Sequence, residues 1–136
     1  MKTINQSLTI FLLFISTAVL TSCSSDININ DYIDKNSSLK LTINKTNTNT
    51  GLTSSDLFEI SPSSDKFKKL IAWGNENKYD WKSTLASYVC ELSVTQDNFN
   101  LLLLKHEGVV IGFTDKKGNG NQYQKIINKG DLDFLY

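Results

Sequence analysis

Catalysis or metal binding in this chain would have to come from very few groups. There are two cysteines and one histidine, and Cys90 with His106 is the only pair able to act as a thiolate–imidazole couple. Cys90 lies in an alternating stretch in which Tyr88, Cys90, Leu92 and Val94 share one face and Ser87, Glu91 and Ser93 the other. That face is expected to be the buried one, where desolvation raises a thiol pKa, so Cys90 reads as a packing residue rather than a nucleophile. His106, beside Glu107, reads as a solvated turn residue with no third group to orient it. The carboxylates Asp56, Glu59, Asp131 and Asp133 flank apolar residues as surface charges do, and support no glycosidase-like pair. The stretch Asp115-Lys116-Lys117-Gly118-Asn119-Gly120-Asn121 is superficially like a calcium loop, but it lacks the acidic alternation and the closing glutamate. It reads as a hairpin tip. No glycine motif for phosphate follows a strand. The expectation is a chain with no cofactor, no metal and no catalytic residue.

Recognition has better candidates. Trp73, Tyr79 and Trp81, with Tyr88 nearby in sequence, cluster around the end of a predicted helix, and two indoles there can stack on a sugar or anchor a protein interface. The competing reading places Trp73 and Trp81 in the core where helix meets sheet. Leu102 and Leu104 pose the same choice, on the second face of a strand whose first face carries Phe99, Leu101 and Leu103. Every basic residue is a lysine, because the chain has no arginine, so bidentate capture of phosphate or carboxylate has no preferred donor. The 14 lysines balance 14 acids, which argues against a nucleic-acid partner.

The start of the chain carries an address. Lys2 precedes an apolar run from Leu8 to Leu20, of signal-peptide length and too short to span a bilayer comfortably. It closes on Leu20-Thr21-Ser22-Cys23, which resembles the lipobox of bacterial lipoproteins. The resemblance covers residues 1–23 only. It implies that 1–22 is a cleaved signal peptide and that Cys23 becomes the acylated first residue of the mature chain, held in the lipid membrane by two or more acyl chains. Ser24 after the cysteine, rather than aspartate, favours the outer membrane of the cell envelope, facing either the periplasm or the cell surface.

Residues 23–37 then read as the lipidated cysteine and a flexible tether, rich in Ser, Asn and Asp, and 38–136 as a single domain. Leu39, Leu41 and Ile43 alternate as an edge strand would, and Leu57–Ile60 is a short strand stopped by Pro62. Phe67, Leu70, Ile71 and Gly74 form a helical stripe, capped by Ser61, Ser63 or Ser64. Period-two stretches at 87–94, 99–104, 109–114 and 122–127 predict an antiparallel meander, with Leu132, Phe134 and Leu135 docking the C-terminus as a further strand. The expected fold is α+β, one helix packed on an antiparallel β-meander of about four to six strands in a two-layer sandwich. The functional expectation is a small envelope lipoprotein that binds an envelope or secreted protein without catalysis, of inhibitor or immunity type. The alternative is a glycan-, peptidoglycan- or lipid-binding module using the aromatic cluster.

Overall fold

The computed structural model describes residues 24–105 and 107–136. In chain order the elements are β1 (Ser24–Ser25), a 3-10 turn (Ile29–Asp31), β2 (Leu39–Thr46), β3 (Thr53–Ile60), α1 (Asp65–Glu76), β4 (Trp81–Ser83), β5 (Leu92–Gln96), β6 (Phe99–Leu104), β7 (Gly108–Thr114), β8 (Gly120–Ile126) and a closing 3-10 turn (Asp133–Leu135). All the strands form one antiparallel sheet in the order β1-β4-β8-β7-β6-β5-β2-β3. The protein is therefore mainly β, with eight strands and one helix among the described residues rather than the four to six expected. β5 to β8 are the expected meander. The hairpin β2–β3 extends it on one side, and β4 with β1 extends it on the other.

The sheet's two faces follow from strand alternation. Leu39 and Leu41 of β2, Leu92 and Val94 of β5, Phe99 and Leu101 of β6 and Val109 and Ile111 of β7 all point to a core face and are buried. Phe67, Leu70 and Trp73 of α1 join the same core, as do Leu132 and Leu135 near the C-terminus. The helix starts where its cap dictates: the Ser64 hydroxyl accepts from the Phe67 backbone N–H, and Asp65 sits in the first turn, facing the positive end of the dipole. It stops at Asn77, whose backbone and side-chain N–H groups both donate to the Trp73 carbonyl. Pro62 lies in the turn before the cap, so of the three candidate serines it is Ser64 that caps the helix.

Four expectations need correction. The stretch 24–37 is not a tether: Ile27, Ile29 and Ile33 are core residues, and β1 joins the sheet at Ser24. Burial of each isoleucine contributes roughly 1.5–3 kcal/mol toward holding the segment, and Tyr32, stacked on Phe113, adds to it. Asn30 adds specificity by donating to the Ile71 carbonyl and to Asn75 Oδ1. The Gln96 side chain pins the following loop, accepting from Asp34 N and donating to the Asp34 and Ser37 carbonyls. The approach to the helix is so close that a Cβ on Gly74 would stand 2.5 Å from Ile29 Cγ1. Second, β2 is an inner strand, and the edge is β3. Third, 85–91 is irregular, so only Leu92 and Val94 of the predicted alternation lie in a strand and Cys90 is half-exposed. Fourth, the C-terminus docks through a 3-10 turn instead of a strand.

Candidate docking edge and outer sheet face

The aromatic cluster does not form a platform. Trp81 is 0% exposed and its indole N–H donates to the Asn77 carbonyl, while Trp73 is buried against the sheet from the helix. Lys125 crosses over Trp81, its Nζ donating to the Asn77 and Tyr79 carbonyls. Only Tyr79 reaches solvent, so the two indoles close the core at the helix exit and present no stacking face. Among the assigned partner-binding residues, Trp73 and Trp81 are thus corrected to core positions.

Leu102 and Leu104 lie on the outer face of β6, half-buried. The chain itself explains their partial cover. β4 and β5 stand on opposite sides of β8, β7 and β6, so the link 84–91 must pass across the sheet, and it does so on the outer face. Tyr88 Oη donates to Gln124 Oε1, and Gln122 Nε2 donates to the Ala86 carbonyl. Val110, beneath the link and opposite Leu102 and Gln124, is 0% exposed. Beside the link lies an open groove of about 500 Å³, lined on the outer face by Thr95, Asn100, Gly112, Thr114 and Gln122. It carries amides and hydroxyls but no aromatic stacking surface open to solvent.

The remaining candidates fall apart chemically. Cys90 is held through its carbonyl, which accepts from Asn44 Nδ2 at 3.0 Å, with the thiol 3.7 Å from the same nitrogen. His106 and Cys23 lie outside the described residues, so neither the Cys/His couple nor the acylation site has a geometry here. At the hairpin tip the Asp115 carboxylate accepts from the backbone N–H groups of Lys117 and Asn119 and from Asn119 Nδ2. Those bonds, the Asn119 backbone N–H foremost, hold its pKa below the ordinary aspartate range and close the tip. The Asp34 carboxyl is likewise lowered by the Ser37 hydroxyl. No group of three or more metal-ligating side chains gathers among the described residues. No helix there is long and apolar enough to cross a membrane.

The feature that the sequence reading missed is the edge strand β3. It pairs with β2 along its whole length, Leu39 opposite Ile60 through Thr46 opposite Thr53, and with nothing on its other side among the described residues. Which backbone groups stay free follows from two hydrogen bonds. Asn44 N donates to the Glu91 carbonyl, toward β5, and Asn47 N donates to the Leu52 carbonyl, toward β3. Even-numbered residues of β2 therefore face β5 and odd-numbered ones face β3. Through the register, Ser54, Asp56 and Phe58 bond to β2, and the N–H and C=O groups of Thr53, Ser55, Leu57 and Glu59 point outward. Leu57 is 76% and Phe58 51% exposed, one on each face of this edge. The β2–β3 loop is held by Asn47, whose Oδ1 accepts from Asn49 N and Thr50 N, and Lys45 pairs with Asp56 at 2.6 Å. A comparison with known proteins gives no relative: no family model, no curated protein and no solved structure matches this chain.

Proposed function

We propose that this chain is a small, envelope-anchored, non-enzymatic protein-binding module that docks its partner strand to strand along β3. The observation that carries the reading is the open edge: outward amides and carbonyls at Thr53, Ser55, Leu57 and Glu59, flanked by exposed Leu57 and Phe58. Main-chain hydrogen bonds give such a site its affinity and the flanking side chains its selectivity. The glycan alternative loses its support with the burial of Trp73 and Trp81. Inhibitor or immunity-type action, blocking another envelope or secreted protein by occupying its strand, is the form of protein binding that this edge fits best.

Anchoring through acylated Cys23 completes the reading. Ser24, the next residue, is already paired with Lys82, so the lipid would leave directly from the β1 edge without a spacer. With seven inter-strand steps of about 4.8 Å, β3 would stand about 34 Å from that attachment measured along the sheet, at the opposite edge. Replacing Cys23 by Ser should release the protein from the membrane fraction and abolish acyl labelling; unchanged fractionation would remove the anchor from this account. For the docking edge, Ser55→Pro is the sharper test. It deletes one outward N–H and leaves the backbone ladder to β2 in place, giving up only the Ser55 Oγ donation to Asn44 Oδ1, and should reduce capture of an envelope or secreted protein by the intact chain. Equal capture by Ser55→Pro and the native chain would refute docking along β3.

A further inference from the structure

We infer that the strand occupying this edge belongs to a second copy of the chain, β3 pairing antiparallel with the partner's β3 about a two-fold axis through Leu57. The inference rests on the strand-docking reading above and goes beyond it: a second copy holds the edge in the free protein, and an envelope or secreted target docks by displacing that copy. Three observations lead to it. The first is exposure: Thr53–Ile60 contains neither Lys nor Pro, the usual devices for blunting an edge, its one core-face charge, Asp56, is taken up by Lys45 of β2, and it presents Leu57 and Phe58 to solvent.

The second is register. Across a two-fold normal to the sheet, residues facing each other lie on the same face, so the axis must pass through a single residue position. An axis at Asp56 sets that carboxylate against its own copy. An axis at Phe58 shortens the ladder, because Ser61 and Pro62 follow directly. An axis at Leu57 uses the strand from Ser54 to Ile60 and sets no acid against an acid: Leu57 meets the partner's Leu57, Ser55 meets the partner's Glu59, and Asp56 meets the partner's Phe58. It also makes Leu57 with Leu57, and Ser55 with Glu59 twice, the hydrogen-bonded pairs, which are the positions whose backbone groups point outward. The two Phe58 rings become diagonal neighbours on the core face, and so do the two Asp56 carboxylates, each of which is already paired with Lys45 of its own chain.

The third observation is closure. Among the described residues the opposite edge is β1, two residues long, so β3 has no comparable edge there on another copy except a second β3. Pairing therefore stops at two copies and does not propagate into a filament.

Disulfide trapping in the full-length chain, in non-ionic detergent and with Cys23 and Cys90 replaced by Ser, tests the register. Leu57→Cys should oxidise to a covalent dimer of doubled mass, since opposed Cα atoms of about 5.5 Å separation suit a disulfide. The exposed control Ile126→Cys should stay monomeric. Asp56→Cys and Phe58→Cys should cross-link when mixed and not when alone. A monomeric Leu57→Cys, or a Phe58→Cys that dimerises by itself, overturns the proposal. Sedimentation of the native chain and of Leu57→Lys, which places two ammonium groups on the axis, gives an independent reading: the native dimer should fall to half its mass in the variant with unchanged circular dichroism. A native chain that sediments as a monomer yet captures another protein through β3 refutes self-pairing and leaves the docking reading standing. A monomer whose captures are indifferent to Ser55→Pro removes both.

Discussion

The two edges of the sheet are built on opposite principles. At one, among the described residues, β1 contributes only Ser24 and Ser25, and β4 only Trp81 to Ser83. Yet this short edge is closed by everything around it: Trp81 is fully buried, Lys125 spans the helix-exit carbonyls above it, and Ile27 N donates to the Lys78 carbonyl alongside. At the other, β3 runs for eight residues, and only its last one, Ile60, is buried. Edge length and edge stability are thus decoupled. The short edge draws its stability from side chains packed beneath it, while the long edge has a full ladder to β2 on one side and unspent backbone groups on the other. A region designed only to be stable resembles the first; a region kept available for another chain resembles the second.

The comparison can be broken first at the closed edge. Trp81→Ala should cost about 3–5 kcal/mol, a loss of packing together with the bond to Asn77, and urea unfolding followed by far-ultraviolet circular dichroism would read it. A cost below about 1 kcal/mol would mean that the indole is not the keystone of that edge. Ile29→Ala, in the segment that resembles a tether by composition, should cost about 2–5 kcal/mol by the same measurement. A disordered segment would tolerate it without effect. Ser64→Ala removes the α1 cap shared by neither edge and should cost about 1 kcal/mol, which calibrates the scale between them. At the open edge, Leu57→Lys should change stability by no more than about 0.5 kcal/mol while eliminating docking, because the side chain meets almost nothing within its own chain. An unfolded Leu57→Lys protein would show that β3 is a structural strand and not a docking one.

The smallest expected effect sits at the hairpin tip between β7 and β8. Asp115 is more acidic folded than unfolded because its ionised form accepts the Asn119 backbone N–H. A lowered folded pKa favours the folded state at all pH above the ordinary aspartate value of 3.8, and that contribution fades as pH falls through the lowered value. The Asn119 amide resonance should therefore titrate with its midpoint below pH 3.8. In Asp115→Asn that titration should vanish.

Much of the local structure was legible in the residues. The Ser64 cap and the stripe of Phe67 and Leu70 specify α1 from short-range chemistry alone, and the alternation Phe99, Leu101, Leu103 specifies β6 in the same way. The hairpin tip was equally plain from its Gly and Asn content. What escaped was non-local. Ile27, Ile29 and Ile33 are spaced among Asn and Asp with no sustained period, and only the partners supplied by α1 and Gln96 make that segment part of the domain. Tyr88 and Cys90 alternate with polar neighbours as strand residues do, but the chain must spend 84–91 crossing the outer face, and topology overrides pattern there. The Trp pair could be core or platform on composition alone, because aromatic residues serve both ends. The status of β3 as an edge was invisible for a related reason. Its sequence specifies a strand, whereas its neighbours are decided by where β2, β5 and β4 settle. A signal was nonetheless present: the Asn47–Gly51 turn and Pro62 bracket a strand carrying Leu57 and Phe58 on opposite faces, which a one-sided strand does not need.

Amide hydrogen exchange along β3 of the full-length chain, measured residue by residue over a range of protein concentrations, tests the central claim most directly. Ser54, Asp56 and Phe58 should be protected throughout by the ladder to β2, which serves as the internal standard. The account predicts that Ser55, Leu57 and Glu59, whose N–H groups point outward, become protected as concentration rises and lose that protection in Leu57→Lys. Outward amides that exchange at the rate of open chain at every concentration, and remain so when envelope and secreted proteins are added, would contradict it.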